Sequence, residues 1–89
     1  NTYHGVRRDT YKGKTVYTTR IHLKGNYIAG RYDTETEAAI AYNKAVDILK
    51  KNGVTKNFTT NYIEDLSPRA YAEIYSELSI SPKIVNYIT

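Results

Sequence analysis

The chain contains no cysteine, no methionine and no tryptophan among its 89 residues. Without cysteine, neither a disulfide nor a thiolate-ligated metal can stabilise the fold. No apolar run approaches the roughly 18 to 20 residues that a membrane-spanning helix requires, and no signal-peptide pattern opens the sequence. Since the sequence starts at Asn1 and has no methionine, we expect it to be a piece of a longer protein. Its length suits one small domain.

Basic residues are concentrated in the first third of the chain. Residues 1–32 carry seven basic side chains and one acidic one, whereas residues 33–89 carry six basic and eight acidic, so the net charges are +6 and −2. A cationic segment beside a mildly acidic one is typical of a protein that presents one face to a polyanion. The alternative is an ordinary solvated surface.

Three runs rich in Tyr, Val, Ile and Thr open the chain and predict β-strands at residues 3–8, 14–23 and 26–32. Residues 9–13 predict a hairpin loop, and Lys24-Gly25-Asn26 predicts a tight turn. Strands joined by loops this short imply an antiparallel meander.

The second run alternates between two kinds of side chain. One set is Thr19, Ile21 and Leu23, and the other is Thr18, Arg20 and His22. Because successive side chains of a strand point to opposite faces, one face of the sheet is predicted to be apolar and the other cationic.

The hydrophobic period changes at Thr34 and predicts a long helix. Thr34 and Glu37 have the spacing of a capping box, and Glu35 and Glu37 complement the helix dipole. Gly53 is positioned to end the helix. The apolar residues between them recur every three or four positions: Ala38, Ala41, Tyr42, Ala45, Val46, Ile48 and Leu49. This stripe is expected to cover the apolar face of the sheet.

The remainder of the chain predicts a helical extension. Ser67-Pro68 and Ser81-Pro82 each combine a cap with proline at the first helical position. We expect a first domain over residues 1–60 and a helical extension over residues 61–89 that packs on or beside it, with the helix of residues 67–78 as additional core. The alternative is a helix that docks another domain or subunit. The predicted class is α+β, a three-stranded antiparallel sheet packed against one long helix (β-β-β-α), with an extra C-terminal helix.

Three motifs share their order and spacing with a known family. Residues 3–8 read Tyr-His-Gly-Val-Arg-Arg, residues 32–45 read Tyr-Asp-Thr-Glu-Thr-Glu-Ala-Ala-Ile-Ala-Tyr-Asn-Lys-Ala, and Asn57-Phe58 follow. Together, over about residues 3–58, they resemble the Apetala-two/ethylene-response-factor DNA-binding domain, which opens with Tyr-Arg-Gly-Val-Arg. The resemblance implies a three-stranded sheet whose exposed face enters the major groove of duplex DNA while a helix crosses its back.

The resemblance also implies which residues contact DNA. Arg7 matches the arginine of the family's Gly-Val-Arg, and His4 stands where the family usually has arginine. Arg20 and His22 occupy DNA-facing positions on the second strand, and Asn26 and Ile28 those on the third. With the phosphate-contacting lysines, the predicted set is Arg7, Arg20, His22, His4, Arg8, Asn26, Ile28, Lys12, Lys14 and Lys24.

Two departures from the family bear on its DNA target. The family usually places tryptophan in its second and third strands, whereas this chain has none and carries Ile28 at one of those positions. Isoleucine can contact a thymine methyl group but cannot donate a hydrogen bond. The loop expected after the first strand is also longer than in the family. We therefore expect a target sequence different from those of the family.

Catalytic and metal-binding chemistry is not indicated. His4 and His22 are the only imidazoles, and as a zinc pair they lack the cysteines or carboxylates of a usual site. The sequence offers no supported Ser-His-Asp arrangement and no glycine-rich phosphate loop. We expect neither an enzyme nor a bound cofactor or metal.

The predicted function is sequence-specific binding of double-stranded DNA by a monomer, without membrane or small-molecule partners. The predicted parent protein is a transcription regulator, in the nucleus if eukaryotic and otherwise in the cytoplasm with the nucleoid. One alternative is the DNA-targeting module of a homing endonuclease or mobile-element integrase. Another is a protein-interaction module whose basic sheet face meets an acidic partner.

Overall fold

The computed structural model describes residues 3–88, which form the predicted α+β fold. Its elements are β1 (Val6–Tyr11), β2 (Lys14–Leu23), β3 (Gly25–Tyr32), α1 (Glu35–Lys51), α2 (Pro68–Glu77) and α3 (Pro82–Val85). The three strands pair in the order β1-β2-β3, and both pairings are antiparallel. The predicted order β-β-β-α and the helical C-terminal extension are confirmed.

The first strand lies further along the chain than residues 3–8, so that prediction was wrong. Gly5 adopts a φ of 73° in a turn before β1. At the other end, Lys12 and Gly13 have φ values of 52° and 75°, as in the two-residue turns that match the twist of a hairpin. Because this turn needs only two residues, Asp9 to Tyr11 pair with β2 and do not form a loop.

Helix α1 begins and ends as its sequence predicts. The backbone N–H of Glu37 donates to Thr34 Oγ1 at 3.1 Å, and the N–H of Thr34 donates to Glu37 Oε1 at 3.2 Å. This reciprocal pair satisfies two donors that the first turn otherwise leaves open. Asn52 is the C-cap, and Gly53 follows it with a φ of 93°, a conformation that ends helices and suits glycine.

Two clusters of buried side chains lie on two sides of α1. The first joins α1 to the sheet and contains Ile21, Ala29, Tyr42, Ala45, Val46, Leu49, Val54 and Ile84. The second contains Val6, Ala38, Ala39, Ile40 and Ile63. The predicted stripe omitted Ala39 and Ile40. Both are buried because the chain after α1 returns across a second side of the helix.

Residues 61–88 belong to the same core as the sheet and α1. Ile63 is in the second cluster, and Ile84 of α3, in the first, is fully buried. Lys44 Nζ of α1 donates to the carbonyl oxygens of Tyr75 and Leu78, each at 2.8 Å. The extension therefore packs on the first sixty residues. Across the described part of the chain, no helix combines the length and apolarity needed to cross a membrane.

Candidate nucleic-acid interface

The sheet has one face against α1 and one face turned away from it. Residues paired across neighbouring strands share a face, and the pairs Val6↔Thr19 and Ile21↔Tyr27 lie on the helix side. Thr19 Oγ1 confirms this side, since it donates to the carbonyl oxygen of Ala38 in α1 at 2.8 Å. The opposite side, called the outer face, carries Arg7, Asp9, Tyr11, Lys14, Val16, Thr18, Arg20, His22, Asn26, Ile28 and Arg31.

A β-bulge in β3 determines which of its residues reach the outer face. Arg20 pairs with Ile28 whereas Thr19 pairs with Gly30, so the register shifts by one residue at Ala29. Strict alternation would place Ile28 and Arg31 on opposite faces. Because the bulge inserts one residue, Arg31 shares the outer face as the partner of Thr18. The sequence prediction missed Arg31 for this reason.

Six of the ten predicted DNA-contacting residues lie on the outer face: Arg7, Lys14, Arg20, His22, Asn26 and Ile28. Lys12 and Lys24 lie in the two turns between strands, and His4 lies in the turn before β1. Arg8 does not join them, because it pairs with Tyr17 on the helix side of the sheet. Its prediction from sequence ignored that neighbours in a strand point to opposite faces.

Two arginines of the outer face contact neighbouring side chains. Arg7 Nε lies 3.1 Å from Asp9 Oδ1. The guanidinium of Arg31 lies over the ring of Tyr11, 4.4 Å from its centroid. Between these two arginines, Thr18 Oγ1 is buried and has no hydrogen-bond partner among the described residues.

Gly5 fixes the backbone of Arg20. The N–H of Arg20 donates to the Gly5 carbonyl oxygen at 2.7 Å. At Gly5, a Cβ would overlap the Tyr42 ring and lie 2.6 Å from the carbonyl oxygen of Arg20. Glycine is therefore required on two grounds, its φ of 73° and this close approach. It lets the turn before β1 lie between β2 and α1.

Beyond Arg20 the sheet narrows to a two-stranded ribbon. Strand β1 pairs with β2 only as far as Val6↔Thr19, whereas β2 and β3 continue together to Leu23↔Gly25. A two-stranded ribbon is one of the elements that the major groove of DNA admits. The outer face of the ribbon carries His22 and Asn26, whose Nδ1 and Oδ1 atoms lie 3.2 Å apart.

A hollow of about 270 Å³ beside the ribbon brings both histidines together with Lys56. Lys56 Nζ donates to the carbonyl oxygen of His22 at 2.9 Å. On the far side, the backbone N–H of His4 donates to Asn61 Oδ1 at 2.7 Å, and Asn61 Nδ2 donates back to the His4 carbonyl oxygen at 3.1 Å. Lys56 was not among the predicted residues, because its position beside His22 depends on the path of the chain after α1. No group of three His, Cys, Asp or Glu side chains suited to a metal occurs within residues 3–88.

No protein-family model, curated protein or solved structure matches this chain significantly. The similarity to the Apetala-two/ethylene-response-factor domain therefore stays a prediction drawn from three sequence motifs. A functional assignment has to rest on the outer face and its surroundings.

Proposed function

We propose that this domain binds double-stranded DNA sequence-specifically by inserting the outer face of its sheet into the major groove. The observation that carries the proposal is the placement of Arg7, Arg20 and Arg31 on one face, with α1 packed on the opposite face. Three guanidinium groups on a sheet supported by a helix suit duplex DNA. Its phosphates attract positive charge, and the base edges in its major groove offer hydrogen-bond acceptors.

The dimensions and donor groups of the ribbon support groove insertion. Neighbouring strands lie about 4.8 Å apart, so two strands with their side chains fit a groove about 12 Å wide. An arginine can bind the O6 and N7 atoms of guanine bidentately, and an asparagine can do the same at adenine. Arg20 and Asn26 supply these groups, and Ile28 supplies an apolar surface for a thymine methyl group.

The lysines at the ends of the strands suit contacts to phosphate. Lys12 and Lys24 lie in the turns, and Lys14 begins β2, where its Nζ pairs with Asp33 Oδ1 at 2.9 Å. Contacts to phosphate position a protein on the duplex without reading its sequence. Within this proposal the lysines supply salt-dependent affinity, and the outer face supplies specificity. The resemblance to the Apetala-two/ethylene-response-factor domain favours a transcription regulator as the parent protein.

Selection of a random duplex library on the purified domain, at near-physiological salt, tests the proposal. Enrichment of one short motif by the wild type, and its loss in an Arg7→Ala/Arg20→Ala double variant, is the expected result. Binding without enrichment would leave only backbone recognition and would overturn sequence-specific reading. Absence of binding would favour the protein-interaction module.

A further inference from the structure

Residues 79–88 run along the edge of β3. The backbone N–H of Ser81 donates to the carbonyl oxygen of Ala29 at 2.8 Å. The hydroxyl of Tyr32 donates to the carbonyl oxygen of Ser79 at 2.6 Å. Residues 79–88, called the edge segment, thereby satisfy the backbone carbonyl oxygen of Ala29, one of the polar groups that an edge strand otherwise leaves open.

Side chains fix the edge segment more firmly than these two bonds alone. Ile84 is fully buried in the first core cluster. The rings of Tyr27 and Tyr87 meet edge to face, with centroids 5.6 Å apart. Because the segment is anchored at both positions, its exposed side chains hold defined places relative to the outer face.

A groove of about 1000 Å³ lies between β3 and the edge segment. Asn26, Ile28 and Arg31 of the outer face line one side, and Lys83 and Asn86 line the other. Since outer-face residues form one wall, the groove is continuous with the surface proposed to enter the major groove.

The lining of the groove identifies the chemistry of its occupant. Lys24, Arg31 and Lys83 line the groove, with the guanidinium of Arg31 over Tyr11, and no acidic side chain of the described residues contributes to it. The side-chain amides of Asn26 and Asn86 also line the groove and can donate hydrogen bonds. Phosphodiester oxygens are the partners that lysine, arginine and asparagine side chains share in protein–DNA interfaces.

We propose that this groove holds the sugar–phosphate backbone of one strand of the bound duplex, with Lys83 contacting a phosphate. The inference rests on the proposed function and extends it. It makes the edge segment, which none of the sequence predictions assigned to DNA binding, part of the DNA interface. It also gives the domain a footprint wider than the family resemblance over residues 3–58 implies.

The test compares Lys83→Ala with wild type by fluorescence anisotropy, using the full chain, the selected duplex and a scrambled duplex. Affinity is measured across about 50 to 200 mM salt, where loss of one phosphate contact lowers the salt slope by about 0.9. We expect affinity for both duplexes to fall by the same factor, and Lys83→Arg to restore it. Arg69→Ala, an equal change of charge on an exposed residue of α2, serves as the control.

The outcomes separate this inference from the proposed function. If wild type selects a motif but Lys83→Ala behaves like Arg69→Ala, the groove does not hold the backbone, and the proposed function stands. If Lys83→Ala weakens only the selected duplex, Lys83 reads bases, and the backbone assignment is wrong. If the wild type does not bind duplex DNA, both the proposed function and the assignment of the groove are wrong. Circular dichroism checks that each variant is folded.

Discussion

Arg7 and Asp9 form an ion pair on the outer face, with Arg7 Nε 3.1 Å from Asp9 Oδ1. They are two residues apart on β1, so their side chains point the same way. The side chains are 63% and 33% exposed, and a pair in such an environment adds only about 0 to 1 kcal/mol to stability. Under the proposed function the pair concerns recognition, since Asp9 would orient the guanidinium and place a negative charge where phosphates approach.

We expect Asp9→Asn to strengthen binding to all duplexes and to weaken discrimination between them. Removing the carboxylate relieves repulsion of phosphate and frees Arg7 to adopt other orientations. Dissociation constants for the selected and scrambled duplexes measure both effects. The matched control is Glu73→Gln on α2, which removes the same charge from an exposed position remote from the outer face. An unchanged ratio of the two constants would show that Asp9 does not orient Arg7 for recognition.

Arg20→Ala is expected to weaken binding to the selected duplex by about 1 to 3 kcal/mol and to relax preference at one or two base pairs. A guanidinium that grips one base acts only where that base occurs. Repeating the library selection with the variant locates the affected position. Arg69→Ala should leave the enriched motif intact. A uniform loss across all sequences would instead assign Arg20 to phosphate.

Local sequence patterns predicted the backbone of this fold well. The capping residues Thr34 and Glu37 and the terminal Gly53 fixed both ends of α1, because their effects act within one helical turn. The alternation of Thr19, Ile21 and Leu23 with their neighbours assigned the two faces of β2 correctly.

Features that depend on distant contacts were not predictable in this way. The bulge at Ala29 arises between two strands, so Arg31 could not be assigned to the outer face from alternation. Lys83 and Lys56 reach the groove and the hollow beside the sheet only because the chain after α1 returns to the sheet. The extent of β1 was missed because the turn at Lys12 and Gly13 was taken as part of a longer loop.

A buried amide network ties the turn before β1 to the rest of the core. Asn61 bonds the backbone of His4 in both directions. Its own backbone N–H donates to Asn43 Oδ1 at 2.7 Å, and Asn43 Nδ2 donates to the Asn61 carbonyl oxygen at 2.9 Å. Both asparagines are buried, so they have little access to water as a substitute.

We expect Asn61→Ala to lower the free energy of unfolding by about 3 kcal/mol, since each buried polar group left unpaired costs about 1 to 3 kcal/mol. Asn61→Asp should also destabilise the fold, because its carboxylate still accepts from His4 but cannot donate to the carbonyl oxygens of His4 and Ala39. Urea unfolding measures both, with exposed Asn57 changed to alanine as the control. Equal midpoints for Asn61→Ala and Asn57→Ala would contradict a stabilising network.

Burial, helped by the negative charge of Glu37, raises the pKa of Tyr32 to about 12. An unfolded tyrosine has a pKa of about 10, so the unfolded chain releases this proton first as pH rises. The stabilisation is complete below about pH 10 and is lost as pH rises through about 12. Burial and a hydrogen bond to Asp47 shift the pKa of Tyr75 in the same direction.

The expected result is a free energy of unfolding that falls between about pH 10 and 12, with a smaller fall in Tyr32→Phe. Urea titrations at a series of pH values measure it. Tyr62→Phe is the control, because Tyr62 is 82% exposed. If the free energy of unfolding of Tyr32→Phe fell with pH as much as that of the wild type and of Tyr62→Phe, Tyr32 would not contribute to the pH dependence.

The most direct measurement of where DNA binds is NMR mapping of the chain with the duplex recovered by selection. Backbone amides report the site, and the side-chain Nε resonances of arginines report direct contact. The largest changes are predicted at Arg7, Arg20 and Ile28, while Arg69 on α2 stays unchanged. Changes centred on α1 or α2, with the outer face unaffected, would contradict insertion of the sheet into the major groove.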